Sequence, residues 1–257
     1  MLRLEVDVSA RERPECAGRR RGGVVGTVVQ VFGELLITAG LVLVLFVAWQ
    51  LWWTNLESDR TQADAVAHLK DDFRSSPPED TKGDSENPVV DAAPGHGQGI
   101  GIMYIPRFGH DYERPIMQGT GRDVLDTLGI GHYESSAMPG DVGNFAVAGH
   151  RQTNGKVFDQ IDQLVAGDRI YVRTASGYYT YVFRNNEIVL PSATDVTAPV
   201  PGNPGAEPQD RLMTLTSCNP RFGSSERIIA YAVYEGWRPQ AEGPPTEIAD
   251  QVGEDGK

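Results

Sequence analysis

The apolar positions of this chain form one long unbroken run and then many short ones. Residues 35–53 carry no charged side chain, and with a weaker apolar approach from Val24 they reach the roughly 20 residues a helix needs to cross a bilayer. Trp49, Trp52 and Trp53 gather at the far end of the run, where an aromatic belt meets the headgroups. A cleaved secretory signal has a shorter core ending in small residues, which Gln50-Leu51-Trp52-Trp53 does not offer, so the run reads as an uncleaved anchor. Further on, residues 61–74 place Val66, Leu69 and Phe73 on one helical face, and Pro77-Pro78 ends that helix. From there to residue 99 the chain is rich in Asp, Glu, Pro, Gly and Ser, the composition of a solvated linker. Residues 54–99 are therefore expected to be a stalk between a membrane helix at 35–53 and a folded domain.

Beyond residue 99 the pattern becomes that of strands. Ile102-Met103-Tyr104-Ile105, residues 143–149 and residues 169–173 are extended runs, and Ser176-Gly177 is a hairpin turn into residues 178–183. Residues 211–216 and 228–234 make two more, the second returning beside the first. Two helical pieces interrupt the strands, at residues 122–128 with Thr120 as N-cap and at residues 158–164. Short, closely spaced strands of this kind predict a barrel or sandwich over residues 100–238. Pro191, Pro199, Pro201, Pro204 and Pro208 mark residues 191–210 as a long loop of the functional kind. The acidic, Pro-rich tail at 239–257 is expected to be mobile.

Composition narrows the classes. The chain has 257 residues and a formal net charge of −12, which argues against nucleic acid as a partner, since phosphate binding needs clustered Lys and Arg. Arg11, Arg13, Arg19, Arg20 and Arg21 precede the apolar run, whereas Glu57, Asp59 and Asp64 follow it, so the positive-inside rule places residues 1–34 in the cytoplasm and everything after the run outside. The two cysteines, Cys16 and Cys218, then lie on opposite sides of the membrane and cannot pair. Cys16 is assigned no role. A single unpaired thiol in an extracytoplasmic domain needs a reason to be there.

That reason is reactivity. A thiol near its free pKa of about 8.5 is mostly protonated at neutral pH, so a catalytic cysteine needs a base or cation beside it. Cys218 follows the strand at 211–216. His150 closes the strand at 143–149, and Arg227 opens the strand that returns beside the cysteine. Each has an ordinary alternative: a single histidine is more often a surface residue, and Arg227 has Glu226 and Glu235 as possible ion-pair partners. Structural zinc sites use paired Cys and His, which the outer domain lacks, and Gly99 and Gly101 precede a strand, not the helix of a dinucleotide fold.

Taken together, Gly149-His150-Arg151-Gln152-Thr153, Thr214-Leu215-Thr216-Ser217-Cys218 and Arg227 on the next strand resemble the His, Cys and Arg motifs of sortases, the transpeptidases that attach proteins to Gram-positive cell walls. The resemblance runs from about Gly101 to Trp237 and includes Gly129-Ile130-Gly131-His132-Tyr133, Pro139-Gly140 and Gly143-Asn144. With the anchor and the Pro-rich loop it is nearest to class E, the housekeeping sortases of high-GC Gram-positive bacteria. Ser217 stands where many sortases have Thr.

The resemblance implies a closed, mostly antiparallel sortase-type β-barrel with short helices, preceded by a single transmembrane helix. It implies Cys218 as nucleophile, His150 as proton carrier and Arg227 as oxyanion stabiliser. Thr214, Thr216 and Tyr112 would contact a sorting signal of the form Leu-Ala-x-Thr-Gly, Tyr112 at the Ala position. The implied partners are proteins bearing such C-terminal signals, a peptidoglycan-precursor amine (lipid II or a stem peptide) and the membrane. No cofactor or metal is implied; the long loop supplies only Asp195, Glu207 and Asp210 toward a calcium site. An L,D-transpeptidase, whose cysteine sits in a Ser-x-Gly-Cys context, and an inactive barrel acting as a binding module are the other readings.

Overall fold

The computed structural model describes residues 23–75 and 83–253. The arginine cluster, Cys16, the Pro77-Pro78 helix stop and residues 254–257 lie outside the described residues. The chain divides into two compact units, residues up to 49 and residues from 50 onward. In the first, Val24–Trp49 is helical, exposed along its length, and long and apolar enough to cross a membrane. It is the opening part of helix α1 (Val24–Ser75).

The second unit is a closed eight-stranded barrel. Its strands are β1 (Gly99–Tyr104), β2 (Glu113–Gln118), β3 (Ile130–His132), β4 (Gly143–Ala148), β5 (Arg169–Arg173), β6 (Gly177–Val189), β7 (Arg211–Asn219) and β8 (Glu226–Pro239), in the order β1-β2-β3-β4-β7-β8-β6-β5. The closing β1–β5 pair is antiparallel, and only β2–β3 and β4–β7 are parallel. Along each strand alternate residues enter the barrel. Met103, Phe145, Val147, Tyr179, Tyr181, Met213, Leu215, Ile228, Ala230 and Ala232 meet in one apolar core. The expected closed barrel is present.

Two strands were not legible as such. Pro115 lies inside β2, and an internal proline ordinarily argues against a strand. His132 is fully buried in β3, stacked on Phe145, with Nδ1 2.7 Å from Gln118 Oε1 and Nε2 3.0 Å from the Ala137 carbonyl. Burial holds its pKa below the usual histidine value. Helix α2 is a single turn, Arg122–Leu125, with Gly121 and not Thr120 at its N-cap. The second helical piece shrinks to a 3-10 turn at Ile161–Gln163.

The larger correction concerns the stalk and the tail. Val66, Leu69 and Phe73 do share a face of α1, but they bury it on the barrel's outer wall against Ile102, Tyr104, Tyr171, Tyr178 and Ile248. Lys70 pairs there with Glu113 at 2.6 Å. Residues 83–98, expected to be solvated, also lie on the barrel: Val89 and Ser85 carbonyls accept hydrogen bonds from Tyr179 and Tyr234, and Gly97 and Gln98 pair with Gln118 through backbone bonds. Ile248, in the supposedly mobile tail, is fully buried just before α3 (Ala249–Gly253). A few apolar residues spaced through a polar stretch suffice to dock it when the barrel offers tyrosine faces.

His96 pins this wrap. Its Nδ1 lies 2.8 Å from Glu134 and its Nε2 2.7 Å from Asp123. The hydrogen bonds to Glu134 and then Asp123 raise the His96 pKa, and that to His96 lowers the Asp123 pKa. For His96 the gain is complete below the unfolded value near 6.5 and disappears as pH rises through the raised folded value. For Asp123 it holds above the unfolded value near 3.8 and disappears as pH falls through the lowered one. The Tm difference between wild type and His96→Ala is expected to be largest between these limits and to shrink in mild alkali. A pH-independent difference would contradict the pairing.

Candidate active site

The parallel β4–β7 pair and the antiparallel β7–β8 pair bring the three candidate residues into one row. Ala148 is in register with Thr216, so Cys218 lies two residues further along β7 and His150 two residues past the end of β4. Cys218 is directly opposite Arg227. Facing residues of an antiparallel pair have Cα atoms about 4.5–5.5 Å apart. Since Met213, Leu215 and Ile228 point inward, the alternation of strands turns Thr214, Thr216, Cys218 and Arg227 to the outer face. The same count on β4, where Phe145 and Val147 point inward, turns Ala146 and Ala148 outward. Cys218 is a free, half-buried thiol.

The intervening inward positions latch this row together. Ser217 donates its hydroxyl to the Gly149 carbonyl at 2.8 Å, and the Gly149 amide donates to the Thr216 carbonyl at 3.1 Å. Arg151, with its side chain 3% exposed, donates to Asn219 Oδ1 at 2.7 Å and pairs with Asp162 at 2.8 Å. Asn219 donates in turn to Glu226 at 2.7 Å. The neighbours of His150, Cys218 and Arg227 are thus bonded to one another while the three side chains stay on the other face. Gly149 is needed here because a Cβ would lie 2.4 Å from Val157 and 2.7 Å from the Phe158 ring.

Glu226 and Glu235, the possible partners of Arg227, are engaged elsewhere. Glu226 holds Asn219, and Glu235 pairs with Arg169 at 2.6 Å. The Arg227 guanidinium instead donates to the carbonyls of Ser224 and Glu226 at 2.9 and 2.8 Å. No carboxylate pairs with it among the described residues, which leaves its charge for the outer face.

Ala146, Ala148, Thr214 and Thr216 form a shelf leading to Cys218. Though on the outer face, they are buried, because other segments overlie them. The Tyr133 hydroxyl meets Thr216 at 3.0 Å, and the Asn144 amide donates to the carbonyls of Val196 and Ala198 in the long loop. That loop is ordered around a turn at Thr194–Thr197. Thr214 donates its hydroxyl to Asn144 at 2.8 Å. Tyr112 lies apart from the row: it is buried edge-on against Phe108 and donates its hydroxyl to the Val157 carbonyl at 2.8 Å. Burial raises its pKa above the usual tyrosine value. A substrate contact through that hydroxyl would require the Val157 bond to break. Among the described residues, no group of three or more His, Cys, Asp or Glu comes together as a metal site would require.

Two residues at the site carried no signal in the sequence. Arg151 stood beside His150 without a role, and Asp126, which lies 2.7 Å from His150 Nε2, fell unremarked within the helical piece expected at 122–128.

Comparison with known proteins places the fold. The sortase domain model matches residues 103–235. Sortase SrtE1 of Streptomyces coelicolor is 34% identical over 239 residues, which span 90% of this chain and 64% of that protein's length. Among solved structures, the SrtA sortase from Actinomyces oris superposes with a TM-score of 0.60 at 42% identity, covering 62% of this chain and 92% of that one. Sortase E1 from Streptomyces coelicolor with a tripeptide in its active site gives a TM-score of 0.54 at 34% identity, covering 62% and 99%. With the barrel and these matches in agreement, the chain belongs to the sortase family and is similar to its class E members.

Proposed function

We propose that this protein is a membrane-anchored class E transpeptidase that cuts a C-terminal Leu-Ala-x-Thr-Gly signal between Thr and Gly and transfers the new carboxyl end to a peptidoglycan-precursor amine. The observation that carries this reading is the row itself, with Cys218 in register with Arg227 and His150 two residues past the end of the adjacent strand β4, whose Ala148 pairs with Thr216. Cys218 as thiolate attacks the threonine carbonyl, and Arg227 stabilises the oxyanion. The C–N bond breaks as imidazolium His150 protonates the departing glycine amine, leaving a thioester. An incoming amine attacks that thioester, the C–S bond breaks, and His150 takes up the amine's proton. Thr216 and Thr214, buried with their hydroxyls bonded to Tyr133 and Asn144, would fix the shelf behind the peptide site before substrate arrives.

The helix Val24–Trp49 supports anchoring, and the arginines ahead of it support a cytoplasmic N-terminus with the barrel outside. The full chain in detergent, given a labelled Leu-Ala-x-Thr-Gly peptide and a small amine, is expected to yield the Thr–amine product. In intact cells, a membrane-impermeant thiol reagent is expected to label Cys218 and spare Cys16. A preference for the Leu-Pro-x-Thr-Gly peptide would overturn the class E signal, and reversed labelling would overturn the orientation.

A further inference from the structure

The histidine is held from behind by a chain of hydrogen bonds that starts on helix α1. His150 Nε2 lies 2.7 Å from Asp126 Oδ1. An ionised carboxylate only accepts, so Nε2 carries the hydrogen and Nδ1 is left for the reacting side. The same Oδ1 accepts from Asn154 Nδ2 at 3.2 Å, and Arg122 lies 3.7 Å from Oδ2. Asn154 holds a left-handed φ of 53°, and its carbonyl accepts from Gln62 Nε2 at 3.2 Å. Gln62 is on the part of α1 that belongs to the barrel unit and is 1% exposed. Gly155, at φ 82°, lies flat on the Gln62 amide; a Cβ there would be 2.3 Å from Nε2. The Gly155 amide donates to Asn55 Oδ1 at 3.3 Å.

Stability alone does not account for this arrangement. The His150 and Asp126 side chains are 27% and 35% exposed, and ion pairs so open to water contribute little. Yet the loop beneath them is fixed by a buried amide and by three consecutive residues at positive φ, Asn154, Gly155 and Lys156. What the bonds do determine is the tautomer and aim of the imidazole, the role a carboxylate plays behind a catalytic histidine. We propose that Asp126 is the positioning carboxylate of His150, and that Gln62, through Asn154, lets the helix following the membrane span hold that carboxylate in place. The proposal rests on the reading of His150 as proton carrier.

The test uses the full chain in detergent, with 15N-labelled histidine and kcat and KM measured for peptide transfer. Wild-type His150 is expected to show a protonated Nε2 in its neutral form, assigned by loss of the signal in His150→Ala. In Asp126→Asn the ring signals should move toward a tautomer mixture and kcat should fall about 10- to 100-fold, part of the 10²–10⁴ that acid–base catalysis contributes, with KM little changed. Asp126→Glu should restore part of kcat, and Gln62→Leu should lower it in the same direction by less. Wild-type kcat and unchanged ring signals in Asp126→Asn, beside an inactive His150→Ala, would overturn the positioning role alone. An active His150→Ala would overturn both this proposal and the role of His150. Should Asp126 variants fail to fold, a neutral wild-type ring protonated at Nδ1 overturns the proposal by itself.

Discussion

Cys218→Ala is expected to abolish acyl-enzyme formation and all peptide transfer, because no other thiol is present in the barrel to form the thioester. His150→Ala and Arg227→Ala are each expected to lower transfer by at least about 10²-fold, the effect of losing a proton carrier or an oxyanion donor. Mass spectrometry of the trapped thioester separates the steps: it should be absent in Cys218→Ala and slow to form in the other two. Turnover near wild type in Arg227→Ala would confine that residue to the backbone carbonyls it already touches, Ser224 and Glu226. A histidine control must be chosen by burial. His132 fills the core and would report on folding, whereas His110 is exposed in a turn, and His110→Ala should keep activity.

The largest effect on stability is expected at Phe158. Its ring is fully buried in the barrel core, it packs where Gly149 has no side chain, and its backbone amide donates to the His150 carbonyl at 3.0 Å. Truncation of a buried phenylalanine costs about 3–5 kcal/mol through lost burial and the cavity left behind. At about 2–4 °C per kcal/mol for a domain of this size, Phe158→Ala should lower Tm by about 6–20 °C. Transfer should fall at temperatures where the variant is still folded, because the His150 loop loses its anchor. A thermal melt with unchanged Tm would mean that the loop does not depend on that ring.

The meeting of the candidate residues was more legible in the sequence than the segments that wrap the barrel. Cys218, His150 and Arg227 could be found because reactive residue types at strand ends form a rare constellation, and the registers that unite them follow from adjacent strands. Asp126 could not be found that way, since an aspartate on a short polar helical stretch is common and only the fold brings it to His150. Strand β2 was hidden by Pro115, and β3 is too short to show an alternation. The stalk was misjudged for a related reason. Composition reports how little apolar surface a segment has, but not that Phe73 will meet Arg173, whose guanidinium also faces Tyr178 on the barrel wall. Tyr112 was singled out for its aromatic ring in a polar turn, and only the coordinates reveal that Val157 already accepts its hydroxyl.

Because the barrel is closed and the row lies on its outside, strands β4, β7 and β8 carry two interleaved messages, one per face. On β7, Met213 and Leu215 can vary only as far as core volume allows, and Thr214 and Thr216, buried and bonded to Asn144 and Tyr133, can change only together with the segments that overlie them. Selection for a new peptide preference can therefore work on the covering segments and leave the core face as it is. Ser217 is the exception: facing inward yet bonded to the residue before His150, it is where a mutation would be read in both messages at once.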